Sequence, residues 1–162
     1  MAKAILIIDH GSKRGEANEM LDCVSNLVQA MAGGDVIVRY AHMELAEPSI
    51  GAGFAACVKA GASEVVAFPY MLSPGKHSTG DIPRLVAAAA APFPGVTFSV
   101  TPAFGVHEKL AELILLRAGV RPNAIDADRC WHSSDVPRTC GDACRCETAP
   151  ASRRASAAPI TA

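Results

Sequence analysis

Val65-Val66-Ala67-Phe68-Pro69-Tyr70-Met71-Leu72-Ser73-Pro74-Gly75-Lys76-His77 is the stretch on which the fold reading turns. Val65 to Phe68 are continuously apolar, as a strand covered on both faces must be. Pro69, Pro74 and Gly75 then stop regular structure, and His77 stands at the end of the loop. A second apolar run, Ala4-Ile5-Leu6-Ile7-Ile8, leads in the same way to His10, followed by Gly11-Ser12. Two imidazoles thus follow two buried strands, and open α/β sheets bind their ligands just past the carboxyl ends of their strands.

The rest of residues 1–120 fits between and after these landmarks. Residues 4–9 are predicted as the first strand. Ala17, Met20, Leu21, Val24, Leu27, Val28 and Met31 recur at helical spacing, which predicts a helix over about 15–32 that Gly33-Gly34 ends. Val36 to Tyr40 read as strand two. Pro48 suits the first turn of a second helix, where its missing N–H costs nothing, and Glu47 sits where an N-cap belongs. Ile50, Phe54, Cys57 and Val58 form that helix's buried stripe, and Gly61 closes it. Strand three takes 64–68, a third helix runs from Asp81 to Ala91, and strand four from Val96 to Val100. A last helix over His107 to Ala118 turns Leu110, Leu113 and Ile114 inward. The order βαβαβαβα predicts an α/β fold: a four-stranded parallel sheet with helices on both faces. Such a sheet offers a cleft with one wall, so pairing of two chains is expected.

From residue 121 to 162 the apolar period is lost, and an irregular, disordered tail is expected. It holds Cys130, Cys140, Cys144 and Cys146 in the spacing C-x9-C-x3-C-x-C. Four thiolates suit an iron–sulfur cluster or a structural zinc, yet this matches neither the usual zinc-finger nor the common ferredoxin spacing. Idle thiols are the plainer alternative. Cys23 and Cys57 fall in helical patterns and read as small packing residues.

Composition narrows the class. The chain has 162 residues, half of them apolar, and a formal net charge of -1. That is enough for one domain with a real core. No basic stripe points to nucleic acid. No run approaches the ~18 apolar residues of a membrane span. The first strand starts almost at Met1, leaving no room for a leader, so the cytoplasm is the expected compartment.

Alone, His10 and His77 each fit a structural histidine bonded near a strand end. Together on one sheet edge they can hold a borderline divalent ion such as iron, cobalt, nickel or zinc. Glu44, in Glu44-Leu45-Ala46-Glu47-Pro48-Ser49-Ile50, follows strand two and reaches the same edge as a carboxylate ligand or proton acceptor. Ser12 either caps its turn or bonds a ligand. His42 reads as structural, and His107 as the start of the last helix.

These landmarks resemble the short sirohydrochlorin chelatases, the small members of the class II chelatase group. The matching segments are Asp9-His10-Gly11-Ser12, Met43 to Ile50, Phe68 to His77, Asp81-Ile82-Pro83 and Pro102 to His107, in the family's order. The resemblance implies insertion of a divalent metal into sirohydrochlorin, with ferrous iron giving sirohaem and cobalt leading toward cobalamin. It implies that His10 and His77 hold the metal and accept pyrrole protons; to these we add the Glu44 carboxylate. It also implies a homodimer, because longer relatives carry two such modules in one chain. Lys13, Arg14, Lys76 and Arg84 flank the histidine loops and can pair with the carboxylates of the tetrapyrrole. The tail loosely resembles plastid relatives whose C-terminal cysteines hold a [2Fe–2S] cluster, which would favour iron and, if a transit peptide is missing, the plastid stroma. Two competing readings are weaker. A histidine phosphatase needs an arginine directly before the histidine, where Asp9 stands. A metal-binding chaperone would need the histidines but no tetrapyrrole cleft.

Overall fold

The computed structural model describes residues 2–124. They fall into two units, 2–103 and 104–124, each described by itself. The tail cysteines, Cys130 to Cys146, lie outside the described residues.

In the first unit, β1 (Ala2–Asp9), β2 (Val36–His42), β3 (Ala62–Pro69) and β4 (Thr97–Val100) alternate with α1 (Gly15–Ala32), α2 (Ile50–Lys59) and α3 (Ile82–Ala90). The sheet is parallel throughout, in the order β2-β1-β3-β4. This is the α/β architecture expected from the alternation of patterns.

Central β1 shows why the apolar runs read as strands. Leu6, Ile7 and Ile8 are all buried, so both faces are covered. Leu6 and Ile8 join Phe54, Cys57, Val65, Ile82 and Val86 in the larger core, under α2 and α3. Ile7 joins Leu21 and Val38 in a smaller one, under α1. Right-handed crossovers require this division: α1 carries the chain one way along the sheet, α2 and α3 carry it the other. Two contacts close the layers. Gly53 lets α2 approach the sheet, because a Cβ there would lie 2.9 Å from both the Ala41 Cβ and a Leu6 methyl. Phe54 stacks on Phe93 with ring centroids 5.9 Å apart. Burial pushes the Cys57 thiol up to about 11, so it stays a neutral packing group as expected.

Two element ends differ from the sequence reading. Pro48 lies outside α2: the Glu47–Pro48 peptide is cis, and Ser49 is the N-cap, its hydroxyl accepting from Ala52 N–H at 3.5 Å. Glu47 instead accepts from Ser49 N–H at 2.7 Å, so its carboxylate braces the loop before the cap. His77 belongs to a π-helical turn, His77–Asp81, that runs straight into α3, because the backbone carbonyl of His77 accepts from Ile82 N–H.

In the second unit, α4 (Glu108–Arg117) begins at His107, whose Nδ1 accepts from Lys109 N–H at 3.0 Å. Leu113 and Ile114 are 47% and 68% exposed, not turned inward as expected. Among the described residues this unit is one helix with its flanks, which gives that stripe no second element to pack on.

Candidate functional site

The register brings three loops to one edge. Asp9 pairs with His42 and Ile8 with Pro69, so β1, β2 and β3 end level. After β1 the chain turns to α1, and after β3 to α3, on opposite faces. The carboxyl ends of β1 and β3 therefore flank the switch point of the sheet, where a crevice must open. His10 leaves β1 there, Glu44 follows β2, and His77 opens the turn beyond β3.

The His10 and His77 rings are 5.3 Å apart between centroids, inclined at 72°. Glu44 Oε1 lies 2.7 Å from His10 Nε2. The sequence-predicted trio is thus brought together. All three side chains are about half exposed, so the cluster opens to solvent. A cleft of about 520 Å³ adjoins it, lined by His42 to Glu47 and Ser49.

Each member is held differently. His10 Nδ1 lies 3.2 Å from the Gly11 carbonyl, an acceptor. Glu44 on the other nitrogen is also an acceptor, and at 2.7 Å a proton must lie between them. His10 and Glu44 therefore form a proton-sharing pair. His77 Nδ1 lies 2.9 Å from Asp81 Oδ2.

Behind the pair is a buried clamp. Asp9 Oδ1 accepts from Gly11 N–H at 2.9 Å and from His42 Nδ1 at 2.6 Å. His42 is 1% exposed, which bears out its structural reading, and its Nε2 has no partner among the described residues. The backbone adds Met43 N–H to the Asp9 carbonyl at 2.8 Å and Glu44 N–H to the His10 carbonyl at 3.1 Å. Gly11 has φ +82, and a Cβ there would lie 1.9 Å from the Glu44 carbonyl oxygen. Only glycine lets the two loops touch. Leu45, next to Glu44, also adopts a left-handed conformation with φ 67, a strain typical of functional loops.

The other expected residues sit around this cluster. The Ser12 hydroxyl accepts from Arg14 N–H at 3.1 Å, and its backbone exchanges two 2.9 Å bonds with the Asn18 amide. Ser12 therefore holds the turn into α1. Lys13, Arg14, Lys76 and Arg84 are exposed. Arg84 lies 3.9 Å from Asp81 Oδ1. His107 starts α4, in the second unit. Among the described residues, no group of three or more His, Cys, Asp or Glu side chains is arranged to hold a metal ion by itself. Two residues escaped the sequence reading: Asp81, legible only as a histidine and an aspartate four apart, and Asp9 as the clamp, which left no local signal.

The chloroplastic sirohydrochlorin ferrochelatase of Arabidopsis thaliana is 44% identical over 113 residues, 70% of this chain and 50% of that protein. The structure of SirB from Bacillus subtilis with Fe3+ is similar at a TM-score of 0.67 and 31% identity, covering 75% of this chain and 49% of that one. The sirohydrochlorin chelatase SirB from Bacillus subtilis subspecies spizizenii in complex with cobalt gives a TM-score of 0.68, again at 31% identity, over 74% of this chain and 50% of that one. The chain spans about half the length of these relatives. The CbiX family model matches residues 4–119, every strand-end loop of the crevice included, and the chain belongs to the CbiX family.

Proposed function

We propose that this chain inserts a divalent metal, ferrous iron first and cobalt second, into sirohydrochlorin. The observation that carries the reading is the His10–His77 pair, 5.3 Å apart at the switch point, with Glu44 against His10. The relatives' names support the substrate, and the ferrochelatase name of the Arabidopsis protein supports iron.

Insertion exchanges one divalent ion for two pyrrole N–H protons, so the site must both present the ion and take up protons. His77 presents it through its open Nε2, and His10 joins once the proton it shares with Glu44 has left, because neutral imidazole suits iron and cobalt alike. His10 and Glu44 accept the protons and release them to water, since both are half exposed. Lys13, Arg14, Lys76 and Arg84 pair with the acidic rim of the macrocycle. Ser12 supports the His10 turn rather than reaching substrate.

Two copies of the chain complete the site in this reading. The matched region covers about half of each relative compared above, which leaves room there for a second such module. For the compartment, the cytoplasm expected from the sequence stands beside the plastid stroma, which the name of the chloroplastic relative supports. Among the described residues no helix is long and apolar enough to cross a membrane. A [2Fe–2S] cluster on Cys130, Cys140, Cys144 and Cys146 remains a proposal from the tail's resemblance alone.

The test is anaerobic. Sirohydrochlorin is mixed with the protein and ferrous iron or cobalt, and its absorption bands are followed. His10→Ala and His77→Ala are each expected to slow insertion at least ~100-fold while circular dichroism stays unchanged. Full activity in both variants would end this reading.

A further inference from the structure

We infer that Asp81 is the positioning residue of His77, fixing which ring nitrogen meets the incoming metal. The inference rests on the proposed role of His77 and deepens it.

Asp81 stands at the start of α3, where an aspartate is ordinarily read as a helix cap. It makes no such bond: no backbone N–H of α3 is capped by its side chain. Its Oδ2 instead lies 2.9 Å from His77 Nδ1. A carboxylate only accepts, so Nδ1 carries a hydrogen, and the neutral ring then has its lone pair on Nε2. No hydrogen bond within the described residues engages Nε2. Carboxylate, imidazole and open nitrogen in this order are what orients a metal-binding histidine in general.

The local backbone is built to hold this pair. The π-helical turn spans His77 to Asp81. Ser78, which is buried, accepts from Gly75 N–H at 2.9 Å, and the Thr79 hydroxyl donates to the Gly75 carbonyl at 2.9 Å. Ile82, directly after Asp81, is 0% exposed in the larger core. The Asp81 side chain is 27% exposed against 48% for His77, so the anchor is the better-buried partner. His10 is held otherwise, by a carbonyl and by Glu44, so Asp81 acts on one imidazole of the two.

The experiment uses the full chain. Long-range proton–nitrogen spectra of the metal-free protein, recorded over a pH series, report the His77 tautomer; His77→Ala identifies its signals. In Asp81→Ala the His77 signals are expected to move from the Nδ1–H form toward the Nε2–H form. The KM for cobalt should rise about 10- to 100-fold while the KM for sirohydrochlorin stays within about twofold. If Asp81→Ala does not fold, Asp81→Leu, which keeps the bulk and removes the acceptor, is measured instead. An unchanged tautomer, or an unchanged cobalt KM in a variant whose His77→Ala counterpart loses cobalt, overturns the inference alone. A His77→Ala protein with an unaltered cobalt KM overturns the site reading beneath it.

Discussion

One oxygen of Asp9 ties two loops together, accepting from Gly11 N–H and from the buried His42 ring. The clamp fixes the distance between His10 and Glu44, and the proton transfer proposed for the pair would draw on such preorganisation. Its tightest point is Gly11. Adding one methyl group there both strains a backbone at φ +82 and drives a carbon to 1.9 Å from the Glu44 carbonyl. Gly11→Ala is therefore expected to lower stability by about 2 kcal/mol or more. Urea unfolding measures this, and metal insertion should fall with it because the Glu44 loop must move. An Ala variant as stable as the parent would mean that the loops are not in contact.

At the scale of elements, the edge strand β2 has an unusual cover. Gln29, on α1, donates to the Val36 carbonyl at 2.8 Å and accepts from Val38 N–H at 2.9 Å. A side-chain amide thus pairs with the outer edge of β2 much as another strand would, on the side away from β1. Unpaired edges invite association with other chains. Gln29→Ala is expected to cost about 1–2 kcal/mol, from the lost bonds and the uncovered groups. Thermal unfolding and light scattering check it, the second because an open β2 edge should aggregate more readily. Helical periodicity in the sequence could not show this residue, since Gln29 is polar and the pattern reads only apolar faces. The π-helical turn escaped for a related reason: Pro74 and Gly75 mark a loop, but the bonds from Ser78 and Thr79 that recover helical structure are invisible in composition.

At the scale of the whole molecule stands the proposed pairing of two copies, which the match to half of the relatives' length supports. Sedimentation velocity at assay concentrations should give twice the chain mass; a fully active monomer would refute the pairing. The sequence by itself determined the parallel α/β sheet and the landmarks at its edge. Runs such as Ala4 to Ile8 and Val65 to Phe68 have no stable place except between two covered faces, and His10, Glu44 and His77 each lie in the loop that such a run leads into. Tertiary structure alone decided the rest. Strand order and level register, not spacing, set the two imidazoles 5.3 Å apart, the long-range bond to His42 made Asp9 a clamp, and the π-helical turn set Asp81 against His77. The physical reason is range: burial preference is written residue by residue, whereas a hydrogen bond between side chains exists only once the sheet has brought distant segments within 3 Å of each other.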